Sequence, residues 1–344
     1  CWYGINTNWQ YYFRKKERKS SVLSRHVILA KTGANQRLDK FLTDVVSGSS
    51  RTAIKKMINE GLVTVNGEVS KPSLILNGNE KISYQIALKE ENGGYLTPEN
   101  IELDIIYEDT DIIAINKPAG LTVHPGAGQK TNTLANGLIY HFQDLSNVNG
   151  KVRPGIVHRL DKETSGVMLV AKSNEAHTNL SRQFEAREIK KEYYAVTWGI
   201  FTSKEGKITL PLSRSKKDPT SYIGDDNGKK AITSFFSKPL GDYTSEVIFK
   251  PKTGRTHQIR VHSASLGNPI FGDSKYGGGN NRSKGFLPEV SKALNNSLKN
   301  LGRHALHAKS ITFSHPSTKK LKSISAKIPI EFQTLKMELS NLHA

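Results

Sequence analysis

Apolar residues first fall at helical spacing at Leu38, Phe41, Leu42 and Val45, and again at Ile54, Met57 and Ile58. The second run predicts a helix capped by Ser49 or Ser50 and running toward Glu60, with Gly61 placed to end it. Its opposite face carries Arg51, Lys55 and Lys56. Leu62-Val63-Thr64-Val65 then reads as a strand. Asn66-Gly67 predicts a tight hairpin, because both positions tolerate positive φ. A further strand near Ile82–Ile86 would complete a small sheet.

The pattern changes after residue 87. Lys89, Glu90, Glu91, Asn92, Gly93 and Gly94 precede Pro98, and residues 89–100 read as a flexible linker. Strand-like runs resume at Ile105-Ile106-Tyr107 and Ile112–Ile115, and strand and turn signals alternate to about residue 330. Two helices interrupt them, over Thr133–His141 and over Asn174–Arg187, the second with Ala176, Leu180 and Phe184 on one face. Residues 277–300 are rich in Gly, Asn, Ser and Lys and read as an inserted surface loop with a short helix. The expected class is α+β. A small two-helix and hairpin domain over 35–88 precedes a large domain over 101–335, built on a largely antiparallel mixed sheet flanked by helices. Residues 1–34 form a flexible extension in this reading, and 336–344 a C-terminal tail.

Composition narrows the partners. The formal net charge is +19, from 50 Lys and Arg against 31 Asp and Glu, which favours a polyanionic partner. The extension adds Trp2, Tyr3, Trp9, Tyr11, Tyr12 and Phe13 ahead of a basic run from Arg14 to Lys19. It could stack on RNA, or be a disordered or targeting remnant. No stretch of about twenty apolar residues occurs, so no membrane span is expected. The single cysteine, Cys1, excludes an internal disulfide framework and a cysteine-based zinc site, which fits a reducing, cytoplasmic setting.

Several strings approach known chemistry and fall short. Gly126-Ala127-Gly128-Gln129-Lys130-Thr131 lacks the glycine that a phosphate-binding loop places directly before lysine. Thr164-Ser165-Gly166 lacks the leading glycine of a nucleophile elbow. His304 and His307 have a spacing that could hold a metal, but no carboxylate lies nearby in sequence, so no metal is expected and a structural or RNA-facing role is favoured. More informative is the polar turn His158-Arg159-Leu160-Asp161-Lys162-Glu163-Thr164-Ser165 ahead of an apolar run, Val167 to Ala171. Pattern alone leaves open a structural Arg-Asp ion pair and a catalytic turn held on a rigid strand.

Two resemblances extend this reading. Arg37-Leu38-Asp39-Lys40-Phe41-Leu42, Ser50-Arg51, Gly61 through Gly67 and Gly78-Asn79-Glu80-Lys81-Ile82 resemble the small RNA-binding domain named after ribosomal protein S-four. Asn79-Glu80 departs from it, since an aspartate often follows that glycine. His158-Arg159-Leu160-Asp161 with Thr164-Ser165-Gly166 resembles the signature of the RluA family of pseudouridine synthases. Lys191-Glu192-Tyr193-Tyr194-Ala195, Gly254 through His262, and Gly267-Asn268-Pro269-Ile270-Phe271-Gly272-Asp273 follow in the family's order. Asn116-Lys117-Pro118-Ala119-Gly120 and Val123-His124-Pro125-Gly126 are most similar to the RluD branch, which modifies large-subunit ribosomal RNA.

The resemblance implies conversion of uridine to pseudouridine, an isomerisation that needs no redox change and no cofactor. It makes Asp161 the catalytic residue, as nucleophile or base, with Arg260 as its counter-ion and Tyr193 as a stacking surface for the base. Arg159 is expected to help hold a flipped nucleotide, and Tyr194 to be core, since adjacent strand residues face opposite sides. Arg37, Arg51, Lys55, Lys56, Arg255 and His257 are the expected RNA contacts. The expected partner is ribosomal RNA, a stem-loop of the large subunit or its precursor, met by a monomer that requires no protein partner. Two rivals remain. A catalytically inactive ribosome assembly factor would share the RNA-binding features. A glycoside hydrolase would need two facing carboxylates, where the signature supplies only Asp161.

Overall fold

The computed structural model describes residues 23–46, 51–87, 96–126, 128–149 and 153–342. The chain divides into two units, Cys1–Gly94 and Tyr95–Ala344.

The first unit holds strand β1 (Leu23–Leu29), helices α1 (Leu38–Val45) and α2 (Arg51–Asn59), and strands β2 (Val63–Val65), β3 (Glu68–Val69) and β4 (Lys81–Ala87). The sheet order is β1-β4-β2-β3. Leu38, Phe41, Leu42, Ile54 and Ile58 pack with Val63, Leu76 and Ile82 into one core, as their spacing predicts. Val45 does not join them. It is 40% exposed, and Val46, just past the helix end, is buried instead. Asn66 and Gly67 both take positive φ, and the β2–β3 hairpin turns on them. Gly61, also at positive φ, follows the end of α2. Glu80 closes its turn, accepting the backbone N–H groups of Asn77 and Gly78. The expected extension is shorter than 1–34, since Leu23–Leu29 pairs antiparallel with β4 along its whole length. Residues 1–22 and the Ser49/Ser50 cap lie outside the described residues.

The second unit is built on a nine-stranded sheet. Its elements are β5 (Ile105–Glu108), β6 (Ile112–Lys117), α3 (Leu134–His141), β7 (Ser165–Ala171), α4 (Asn174–Ala186), β8 (Lys190–Trp198), β9 (Glu205–Thr209), the pair β10 (Leu212–Arg214) and β11 (Tyr222–Gly224), β12 (Ile232–Leu240), β13 (Thr244–Pro251), α5 (Gln258–Ser265), α6 (Pro288–Leu301), β14 (Leu306–Ser314), β15 (Leu321–Ser325) and α7 (Ile330–Ser340). The strand order is β5-β6-β7-β14-β8-β13-β12-β9, with β15 on β14. Every pairing is antiparallel except β7 with β14. The mixed, largely antiparallel α+β architecture is therefore the observed one.

Strands β6 and β7 are buried on both faces, so they read as continuous apolar runs rather than alternating ones. Ile113, Ile115, Met168 and Val170 pack toward α3, while Ile112, Ala114, Val167 and Leu169 pack toward α4. A third core gathers Trp198, Val247 and Phe249 under α6 and α7. This corrects the reading of residues 277–300. Pro288–Leu301 is a 14-residue helix whose Leu294, Leu298 and Leu301 are core, with Pro288 in its first turn and Gly302 ending it at φ 67°. A polar composition masked an apolar stripe at i, i+4, i+7. The linker also ends earlier than expected: Leu96 is buried, and the Thr97 carbonyl accepts from Asn136 Nδ2. Nor is 336–344 simply a tail, since α7 runs to Ser340 with Leu339 buried.

Candidate active site

Asp161 sits on the turn that leads into β7, and contacts from three directions fix that turn. From the end of β6, the buried Lys117 ammonium donates to the carbonyls of Pro118, Leu121 and Lys162 at 2.6, 2.9 and 3.0 Å. Burial pulls Lys117 down to about 7, with the charge of Glu163 working against that. From the segment ahead of β14, His304 bonds Thr164 Oγ1 at 2.8 Å and Arg303 donates to the Glu163 carbonyl at 3.1 Å, while His307, in β14 itself, bonds Ser165 Oγ at 2.9 Å. From within the turn, His158 Nε2 accepts the Leu169 N–H at 2.9 Å. Burial holds His304 and His158 neutral, at about 2 and about 3. Gly166 permits the close approach of β7 to β14. Its φ is +114°, and a Cβ there would lie 2.2 Å from the Ala308 carbonyl oxygen.

The Asp161 carboxylate, about one-fifth exposed, faces a cavity of about 430 Å³. Arg260, from α5, donates through Nη1 to Asp161 Oδ2 at 3.2 Å. The rest of that guanidinium is engaged by Asp273, with Nε to Oδ2 at 2.6 Å and Nη2 to Oδ1 at 2.8 Å. Burial alone would lower the Arg260 pKa, but Asp273 first and Asp161 second outweigh it, so the cation is fixed. His257 approaches from the same helix, its Nε2 3.8 Å from Asp161 Oδ2 and its Nδ1 2.7 Å from the Tyr276 hydroxyl. It takes the left-handed conformation, φ 56°, at the start of α5, which is unusual for a side chain of its size. Burial holds this imidazole below its ordinary pKa, against the pull of Asp161.

Tyr193, from β8, lines the same cavity. Burial and then the charge of Asp161 push its phenol upward, so it stays protonated and offers a ring face and a donor. Tyr194 turns the other way into the core, 3% exposed, as strand alternation predicts. Arg159 and Arg255 also line the cavity, Arg255 reaching the Lys230 carbonyl at 3.3 Å. The second unit thus brings together Asp161, Tyr193, Arg260, Arg159, Arg255 and His257, and it sets His257 beside the carboxylate. In the first unit Arg37, Arg51 and Lys55 converge on buried Asp39, at 3.0, 3.1 and 3.8 Å, with their own side chains about half exposed. Lys56 stands apart and pairs with Glu60.

Sequence reasoning passed over Lys117, Arg303, Asp273 and Tyr276. Lys117 lay in the recognised Asn116–Gly120 segment without a role, and its tie to the Lys162 carbonyl, like that of Arg303 to the Glu163 carbonyl, spans residues distant in sequence. Asp273 carried a signal, since it closes the recognised Gly267–Asp273 segment, but no role. His304 and His307 each bond a hydroxyl beside Asp161, those of Thr164 and Ser165. Among the described residues the group spaced for a metal is Asp109, Asp111 and His315. Its members already serve one another and their own turn, with Asp109 accepting from Tyr107, the N–H groups of Asp111 and Ile112, and bonding His315.

One aspartate carboxylate, tied to a fixed guanidinium and sharing its cavity with a protonated tyrosine, makes a site fit for nucleophilic or acid–base chemistry. The chain belongs to the RNA pseudouridylate synthase family, which it matches over residues 111–265, and it carries an S4 domain over residues 36–82. It is 46% identical over 248 residues to an uncharacterized RNA pseudouridine synthase of Aquifex aeolicus, covering 71% of this chain and 78% of that one. It is 38% identical to ribosomal large subunit pseudouridine synthase D of Pasteurella multocida, covering 91% of this chain and 94% of that one. Among solved structures, human RNA pseudouridylate synthase domain containing 4 is similar, with a TM-score of 0.53 and 26% identity over 68% of this chain and 92% of that one. Among the described residues, no helix is long and apolar enough to cross a membrane.

Proposed function

We propose that this chain isomerises specific uridines to pseudouridine in large-subunit ribosomal RNA, in the cytoplasm, as a monomer and without a cofactor. The observation that carries the reading is the Asp161–Arg260 contact inside the cavity that Tyr193 lines. The similarity to large-subunit synthases supports the choice of RNA. In the reaction the N1–C1′ bond breaks and a C5–C1′ bond forms. The C5 proton leaves and N1 gains one, so atoms balance with no redox partner. Asp161 starts this by attacking C1′ or by removing a ribose proton. Arg260 aims the carboxylate through its single Nη1 contact. Tyr193 stacks on the uracil and its hydroxyl serves the proton moves.

The target base reaches Asp161 only after leaving its stack, at a cost of a few kcal/mol. Arg159, at the cavity wall, holds that flipped state. Arg255 at the rim and the Arg37, Arg51 and Lys55 cluster of the first unit bind phosphates, with Lys56 a weaker contributor. The test is a pseudouridine map of ribosomal RNA from cells lacking the protein, repeated after supplying wild-type chain or Asp161→Asn. Specific sites should vanish and return only with wild type. Full rescue by Asp161→Asn would overturn the catalytic role and favour an assembly factor.

A further inference from the structure

Arg260 does not face Asp161 alone. Two of its three nitrogens, Nε and Nη2, are bound side-on by Asp273 at 2.6 and 2.8 Å, and only Nη1 is left for Asp161, at 3.2 Å. The face of the guanidinium is covered as well, since its central carbon lies 5.0 Å from the ring centroid of Tyr276. The hydroxyl of that same tyrosine holds His257 Nδ1 at 2.7 Å and accepts the Tyr222 N–H at 2.9 Å. Asp273 and Tyr276 come from one short 3-10 turn, which therefore touches both α5 groups that face the carboxylate.

That turn is unusually constrained. Asp273 N–H donates to the Ile270 carbonyl, Gly278 N–H donates to the Asp273 carbonyl, and Gly272 N–H donates to the Gly278 carbonyl. The Gly278 carbonyl also accepts from the buried Trp198 indole at 2.8 Å. Glycine is required at both ends. A Cβ on Gly272 would lie 2.1 Å from the Arg303 carbonyl oxygen, and one on Gly278 would lie 1.9 Å from that of Ile270. A buried carboxylate on so rigid a support, 1% exposed at its side chain, can fix a cation to a fraction of an ångström.

We infer that Asp273 is a positioning residue for the isomerisation: it locks Arg260 so that a single Nη1 contact, with a charge shared between two carboxylates, is presented to Asp161. A freely rotating arginine would fork onto both oxygens of Asp161 and tie down the lone pairs that must reach the ribose. The shared arrangement keeps Asp161 oriented while leaving an oxygen free to react. Tyr276 completes the clamp by closing the open face of Arg260 and steadying His257. Asp273 is buried and not part of the cavity lining, so its effect falls on the chemical step and not on RNA affinity.

The inference rests on Asp161 being the catalytic residue, and its test separates the two. Steady-state turnover and RNA binding are measured for wild type, Asp161→Asn, Asp273→Asn and Asp273→Glu, with thermal melting to confirm folding. Asp161→Asn should be inactive. Asp273→Glu retains the charge but moves it by one methylene, and should lower kcat by about a hundredfold with KM and RNA Kd unchanged. Asp273→Asn should lower kcat at least as much. Wild-type kcat in a folded Asp273→Glu enzyme overturns the inference, whatever Asp273→Asn does. So does a loss confined to KM. An active Asp161→Asn would instead overturn the catalytic assignment beneath it.

Discussion

The Thr164 hydroxyl lies 2.8 Å from Nε2 of His304, 140 residues further along the chain. Through that contact, the segment ahead of β14 holds the turn that carries Asp161. The hydroxyl can donate or accept, so either tautomer of the ring serves, and burial keeps that ring neutral. His304 is one of several histidines in this unit that burial keeps from protonating, and three of them, His158, His304 and His307, bond the segment around Asp161.

Acid should therefore unfold the second unit early. Burial lowers His304 to about 2, His158 to about 3, and His124 and His307 to about 4. In the unfolded chain each would titrate near 6.5. Below about pH 6.5 the unfolded state takes up protons that the native state refuses, so stability is full above that pH and falls as pH drops toward the native values. Each group contributes up to about 1.4 kcal/mol per pH unit in that window. Urea midpoints at pH 7.5, 6 and 5 should decline progressively. A flat series would mean these imidazoles are not neutral in the fold.

Lys117→Met preserves the buried aliphatic stem but removes a donor from three carbonyls, of which that of Lys162 keeps the Gly120 N–H. Stability should fall by about 2–5 kcal/mol. The Lys162 carbonyl adjoins Asp161, so on the proposed role of that residue kcat should fall too in the protein that remains folded. Unaltered kcat at saturating RNA would show that the turn holds its shape without this lysine.

Arg159→Ala separates base flipping from scaffolding. Arg159 makes no contact with Asp161 in this structure's ion pairs, which Arg260 and His257 supply. The variant should lose more activity on a duplexed target uridine than on an unpaired one, by up to the few kcal/mol that unstacking costs. Equal loss on both substrates would assign the side chain to the turn.

Arg51→Gln and Lys55→Gln, in the first unit, should weaken RNA binding without altering kcat. Each should also reduce the slope of log K against log salt by about 0.7–0.9, the share of one phosphate contact. Salt titrations of RNA affinity check this. An unchanged slope would mean that the Asp39 cluster is a fold-holding network and not a phosphate platform.

The chain's local grammar specified much of this molecule. Helical spacing marked Leu38, Phe41, Leu42, Ile54 and Ile58 as one core, and Asn66-Gly67 fixed a hairpin through φ values that few residues accept. Strand alternation separated Tyr193 from Tyr194. Local grammar failed where composition hid periodicity, as in α6, and at element ends, as with Val45 and Val46.

The sequence by itself determined many of the elements, though not β1, α5 or α7, together with the family and the identity of Asp161 as a candidate, because periodicity, turn chemistry and ordered motifs are properties of neighbouring residues. Only the tertiary structure decided what surrounds Asp161. The β7–β14 parallel pairing brings His304 and Arg303 to its turn, and the packing of α5 and the Asp273–Tyr276 turn brings it a cation that is already shared. Charge pairing and desolvation depend on distance in space, and no spacing along the chain encodes that.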